Sequence, residues 1–169
     1  TIECNPDDLT EAMCHDYVAA GVDRLSFGVQ SMVPHVLESL GRRHRPENVV
    51  AAVGAARRAG IERVNLDLIY GAAGESLDDW RTTLEATLEL GVQHVSAYAL
   101  TVEAGTPLFD EPHRHPDDDD LADKYELADE MLTAAGLPNY EVSNWAVPGQ
   151  ECRHNILYWR QGDYAAVGC

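Results

Sequence analysis

Ala20-Gly21-Val22-Asp23-Arg24-Leu25 returns along the chain as Ala59-Gly60-Ile61-Glu62-Arg63-Val64 and as Leu90-Gly91-Val92-Gln93-His94-Val95. A weaker copy is Ala135-Gly136-Leu137-Pro138-Asn139-Tyr140, and the four glycines are 39, 31 and 45 residues apart. The pattern reads as the end of a helix. Glycine takes a left-handed backbone, the apolar residue after it packs back on the last turn, two polar residues follow and a strand begins. A helix-to-strand junction repeated at this spacing predicts βα units and a parallel sheet.

The segments between the junctions read as helices over Asp7–Ala20, Pro34–Leu40, Pro46–Ala59, Ser76–Leu90 and Asp117–Ala135. Pro46 suits a first helical turn, Ser76 an N-cap, and Asp78 and Asp79 the positive end of the helix dipole. Trp80, Leu84 and Leu88 form one apolar stripe, and Leu121, Tyr125, Ala128 and Leu132 another. The acidic run Asp117–Asp120 reads as a solvated helix start. Gly71-Ala72-Ala73-Gly74 is the nearest approach to a phosphate-binding loop, but it lacks the G-x-G-x-x-G spacing, so a dinucleotide site is not expected.

Composition narrows the function. The chain has 169 residues, 45% of them hydrophobic, which suffices for one domain with an apolar core. Its 29 acidic against 12 basic residues give a formal net charge of -17, which repels phosphate backbones and argues against nucleic acid as a partner. No apolar run approaches the roughly 18 residues of a membrane span. Cys4, Cys14, Cys152 and Cys169 form no CxxC pair and no disulfide spacing, so a reducing, cytoplasmic setting is expected. The chain opens inside an apparent strand without Met and stops at Gly168-Cys169, so it reads as a fragment, with an open sheet edge and marginal stability expected of it alone.

Alternate residues along each strand separate into two faces. Leu25, Phe27 and Val29 oppose Ser26, Gly28 and Gln30. Val64, Leu66 and Leu68 oppose Asn65, Asp67 and Ile69. Val95, Ala97 and Ala99 oppose Ser96, Tyr98 and Leu100, and Ile2 opposes Thr1 and Glu3. Parallel strands are usually apolar on both sides. A polar face is costly unless it lines a wet or ligand-filled hollow, which predicts a barrel or half-barrel with a polar lumen. Glu3, Gln30 and Asp67 fall at or near the C-terminal strand ends, where βα barrels place their chemistry. Two carboxylates in one mouth suit a cationic ligand or an acid–base pair, and the same residues could be interior groups with a purely structural role.

Glu3-Cys4-Asn5-Pro6, Arg24-Leu25-Ser26-Phe27-Gly28-Val29-Gln30-Ser31 and Asn65-Leu66-Asp67-Leu68-Ile69-Tyr70-Gly71 resemble consecutive barrel strands of a radical S-adenosylmethionine (SAM) family. So do Tyr98-Ala99-Leu100-Thr101-Val102-Glu103 and Tyr140-Glu141-Val142-Ser143-Asn144. The family is that of the oxygen-independent coproporphyrinogen III oxidases and the related HemW heme chaperones, and the likeness spans essentially the whole chain. Cys152-Arg153-His154-Asn155-Ile156-Leu157-Tyr158-Trp159 looks like the HNxxYW signature of the HemW branch.

The resemblance implies an α/β fold: part of a TIM-like (βα)6 half-barrel, parallel strands three to six over residues 1–139, and the start of a C-terminal region over 140–169. It implies SAM, a [4Fe–4S] cluster and heme as cofactors. Recipients of heme and an electron donor would be partners. The SAM contacts carried over are Glu3, Gln30, Arg42 and Asp67, with Arg43 a competitor for the Arg42 role. Carboxylates favour the sulfonium and ammonium of SAM, and a guanidinium pairs its carboxylate. His154 is the heme-iron candidate, with Tyr158 and Trp159 to pack on the macrocycle. The alternative is a histidine that hydrogen-bonds the fold and aromatics that belong to the core. Cys152 reads as an ordinary small buried cysteine, though a thiolate ligand is conceivable chemistry, and His113 and His115 read as surface residues.

Departures from the family pattern bear on activity. The Cys-x-x-x-Cys-x-x-Cys loop that holds the cluster is absent from this sequence, Ala72-Ala73 replaces the usual Leu-Pro, and Trp145 replaces Phe. The chain by itself is therefore expected to be inert as a radical enzyme. Heme delivery is the function expected of the whole protein. Its rivals are oxidative decarboxylation of coproporphyrinogen III to protoporphyrinogen IX, and a barrel module that merely binds a partner.

Overall fold

A computed structural model describes residues 1–165. Gly168 and Cys169, where the sequence reads as cut, lie outside the described residues. Six strands form one sheet: β1 (Ile2–Cys4), β2 (Arg24–Gln30), β3 (Arg63–Tyr70), β4 (His94–Ala99), β5 (Asn139–Glu141) and β6 (Asn144–Ala146). Between them lie α1 (Glu11–Ala19), α2 (Pro34–Ser39), α3 (Pro46–Arg58), α4 (Leu77–Glu89) and α5 (Asp118–Ala134), and α6 (Arg153–Trp159) follows. The strand order is β1-β2-β3-β4-β6-β5, parallel from β1 to β4.

The repeated junction works as its sequence suggests. Gly21, Gly60, Gly91 and Gly136 all have positive φ, and Val22, Ile61 and Leu137 donate their amides back to Tyr17, Ala56 and Leu132. The helices α1, α3 and α5 thereby end in Schellman-type turns that aim the chain into the next strand. Apolar strand residues Leu25, Phe27, Val29, Leu66, Leu68 and Val95 are fully buried with Trp80, Leu84 and Leu132 of the helices. Burial of each such side chain contributes about 1.5–3 kcal/mol. Within the helical layer α1 packs on α3 and α4 on α5.

Helix starts follow their caps. Ser76 Oγ accepts the Asp79 amide at 3.1 Å while Asp79 accepts the Ser76 amide at 2.9 Å, closing a capping box on α4. Asp117 caps α5 by accepting from Asp119 and Asp120. The expected start of the first helix at Asp7 is corrected. Asn5, Asp7 and Asp8 close a turn instead, with Asn5 Nδ2 donating to Asp8 at 3.1 Å, and Thr10 caps α1 by accepting the Met13 amide.

A second correction concerns Tyr140–Asn144, read as a strand. The run reverses at Val142-Ser143 into a β5/β6 hairpin, because Glu141 Oε1 accepts from both the Ser143 amide and Asn144 Nδ2 and pulls the corner shut. β6 then pairs antiparallel with β4, His94 facing Ala146. Among the described residues no helix is long and apolar enough to cross a membrane.

Candidate functional site

The polar side of the sheet is built in rows set by strand register. Glu3, Ser26, Asn65 and His94 are successive partners across β1 to β4; Gly28, Asp67, Ser96 and Asn144 form the next row. Helices cover the other side, so this face opens into a cleft.

Toward the C-terminal strand ends the cleft holds a hollow of about 350 Å³ lined by Glu3, Asn5, Gln30, Arg42 and Asp67 among others. The four residues carried over as SAM contacts therefore meet in one place. Arg42 lines this hollow and Arg43 does not. Two local devices put Arg42 there. Gly41 ends α2 with a positive φ, and the Arg42 amide returns to the Leu37 carbonyl at 2.8 Å. Two residues on, buried His44 holds the Val29 carbonyl through Nε2 at 2.9 Å, tying the loop to the end of β2. Gln30 closes β2 in the left-handed region, φ 64°, where a non-glycine residue is strained. Its Nε2 lies 3.0 Å from where a Cβ on Gly28 would stand, so Gly28 leaves room for the glutamine to fold back along the sheet.

A second hollow, about 440 Å³, runs on toward the N-terminal strand ends, and Glu3 and Asp67 border both. Arg24, Asn65, His94, Asn144, Cys152 and His154 also line it. Asn144 Oδ1 is buried there without a partner among the described residues. His154 is exposed on α6, edge-on to Tyr158 with ring centroids 4.8 Å apart. Trp159 turns away from both, lining a separate depression with Tyr140 and donating through Nε1 to Glu141 at 2.7 Å. Of the three residues read as a heme set, His154 and Tyr158 share a face and Trp159 does not.

Between the rows runs a polar network that the sequence reading did not foresee. Asn65 Nδ2 donates to Ser26 Oγ at 2.7 Å and to Asp67 Oδ1 at 2.8 Å, and Ser26 Oγ donates to Asp67 Oδ2 at 2.7 Å. His94 Nδ1 lies 2.6 Å from Asn65 Oδ1 and its Nε2 2.8 Å from the Tyr140 hydroxyl. Burial first, then the charges of Arg24 and Arg63, push His94 down to about 3, so its ring is neutral at ordinary pH. Burial pushes the Tyr140 hydroxyl up to about 12, which keeps its proton. Ser26 and Asn65 stood in the polar pattern. His94 was hidden in a junction, and Tyr140, 46 residues further on, carried no local signal.

The model of the radical SAM superfamily matches residues 1–87, just over half the chain. The chain belongs to the radical SAM superfamily. Two curated relatives are the heme chaperones HemW of Mycobacterium tuberculosis, 48% identical over 98% of this chain and 44% of that protein, and of Escherichia coli, 42% identical over 100% and 45%. This radical SAM chain thus spans about half the length of the curated relatives it matches. Among solved structures, coproporphyrinogen III oxidase (HemN) from Escherichia coli superposes with a TM-score of 0.76 at 22% identity, over 94% of this chain and 37% of that one, a likeness of fold.

The hollow around Glu3, Gln30, Arg42 and Asp67 fits the superfamily's cofactor, since it offers two carboxylates for cationic groups, one guanidinium for a carboxylate and amide groups for hydroxyls. The described residues do not fit a cluster: no group of three or more His, Cys, Asp and Glu among them could hold a metal ion.

Proposed function

We propose that this chain is the lumen-bearing part of a heme chaperone that binds SAM and heme and passes heme to recipient proteins in the cytoplasm. The observation that carries the reading is one continuous cleft. It holds the four SAM-type residues at the C-terminal strand ends and His154 at the other, with Glu3 and Asp67 bordering both hollows. The HemW names of relatives that align over the whole chain support heme as the cargo.

In this reading Glu3 and Asp67 face the cationic groups of SAM, Arg42 pairs with its carboxylate, and Gln30 and Asn5 hydrogen-bond its hydroxyls. Bound SAM supplies a sulfonium open to reductive cleavage by a [4Fe–4S] cluster, whose electrons come from an external donor. His154 offers an exposed imidazole to heme iron, and Tyr158 offers an aromatic edge beside it.

The test is a heme titration of the full-length protein followed by visible absorbance, wild type against His154→Ala, with turnover of coproporphyrinogen III assayed in parallel. The reading predicts saturable heme binding that is lost in His154→Ala, and no decarboxylation. Wild-type-like heme binding by the variant, or turnover of the porphyrinogen, contradicts it.

A further inference from the structure

Hydrogen bonds connect Asp67 to the start of α6 through Asn65, His94 and Tyr140, with Ser26 and Ser96 branching at Asn65. Asp67 accepts at both oxygens, from Ser26 Oγ at Oδ2 and from Asn65 Nδ2 at Oδ1, the latter at 2.8 Å, so Asn65 turns Oδ1 toward His94. His94 Nδ1, 2.6 Å away, must then donate, which makes the ring the Nδ1–H tautomer with a bare Nε2. The Tyr140 hydroxyl donates into Nε2 at 2.8 Å, and its oxygen is left to accept the Cys152 amide at 3.3 Å. Cys152 is the N-cap of α6, two residues before His154.

Little else holds that helix. No residue of α6 is fully buried, with Asn155, Ile156 and Leu157 half-buried, and among the described residues its side-chain ties are those of Asn155 to Tyr140 and of Trp159 to Glu141. A helix with few buried contacts sits where its polar ties put it, and opens locally when one is lost. The neutral state of His94 keeps the line unbroken at ordinary pH.

We propose that His94 and Tyr140 are positioning residues through which the Asp67 carboxylate sets the placement of the His154-bearing helix, so that a ligand engaging Asp67 is felt at α6. The inference rests on the reading of Asp67 as a SAM contact. The network fixes the tautomer, and the exposed helix is the element that its ties hold or release.

The experiment uses the full-length protein, wild type and Tyr140→Phe. Amide hydrogen exchange across residues 152–157 is measured with and without SAM, calorimetry reports SAM affinity in the same samples, and ¹⁵N NMR reads the His94 tautomer. Expected are a His94 proton on Nδ1 and SAM-dependent slowing of exchange by about threefold or more in the wild type. In Tyr140→Phe the slowing disappears and SAM affinity shifts by no more than that same factor, as reciprocal coupling requires. SAM binding without a change at α6, full retention of the effect in Tyr140→Phe, or a proton on His94 Nε2 overturns the proposal. Absence of SAM binding in the wild type overturns the proposed function, and this coupling with it.

Discussion

His94 Nδ1 lies 2.6 Å from Asn65 Oδ1, across the two strands that carry the middle of the polar face. Burial first, then the charges of Arg24 and Arg63, hold this imidazole neutral in the folded chain, about 3 against an ordinary 6.5. Unfolding releases that constraint. Below about 6.5 the unfolded chain binds a proton that the folded chain refuses, so stability is fully present above that pH and is lost as pH falls toward 3. Urea melts of the full-length protein between pH 7 and 5 are expected to show the loss, and His94→Gln to show a shallower slope from a lower starting stability. Equal slopes would remove His94 as the buried neutral group.

Gln30 holds a left-handed backbone at the mouth of the C-terminal hollow. Gln30→Gly relieves about 1 kcal/mol of strain while adding a similar unfolded-state entropy cost. Stability is therefore expected to stay within about 1 kcal/mol of wild type, while SAM affinity drops about two- to tenfold with the lost amide. Denaturation and calorimetry on the same variant separate the two effects. A large destabilisation with unchanged affinity would make Gln30 a structural residue.

Lys124, the sole lysine of the chain, is fully buried, donating to the Glu75 carbonyl at 2.9 Å and to Asp120 Oδ2 at 2.5 Å, with Glu75 Oε2 at 3.6 Å. Glu75 in turn holds the Gly71 amide at 2.6 Å, pinning the turn after β3. Lys124→Met unpairs the half-exposed Asp120 and the fully buried Glu75, and the buried carboxylate is expected to dominate a cost of about 3–5 kcal/mol. Burial already raises the Glu75 carboxyl, so its folded form favours the proton; its contribution is present below 4.5 and is lost as pH rises through the folded value. The penalty relative to wild type should therefore be larger at pH 8 than at pH 5, read from chemical melts. A pH-independent penalty would mean that the carboxylate is not the cause.

Tyr158 faces His154 and Trp159 faces Glu141. Heme affinity is accordingly expected to fall several-fold, about 0.5–1.5 kcal/mol, in Tyr158→Ala and to change less in Trp159→Ala. Absorbance titration of the two full-length variants ranks them. The reverse ranking would place heme on the other side of α6.

The sheet and its cleft were legible because both depend on short-range pattern. Junction glycines set the βα repeat, and strand alternation put Glu3, Gln30 and Asp67 on one side before any contact was known. Arg42 entered by resemblance, and its place beside them depends on the α2 cap and His44. What stayed hidden depends on distance or on competition. Tyr140 reaches His94 across 46 residues, and nothing local marks it. The Asn5–Asp8 turn competes with helix for acidic residues suited to either, and Thr10 decides the start of α1. The hairpin at Val142-Ser143 depends on the Glu141 side chain capping the corner, against a β-prone sequence. Trp159 sits one residue past the i,i+4 partner of His154, so helical geometry alone turns it about 100° from Tyr158.

The most direct test is calorimetric titration of the full-length protein with SAM, wild type beside Asp67→Asn and Glu3→Gln. Saturable binding by the wild type is predicted, weakened about ten- to a hundredfold in each variant because a charge-assisted contact is lost. No binding by the wild type, or equal affinity in all three proteins, would contradict the assignment of the polar cleft to this cofactor.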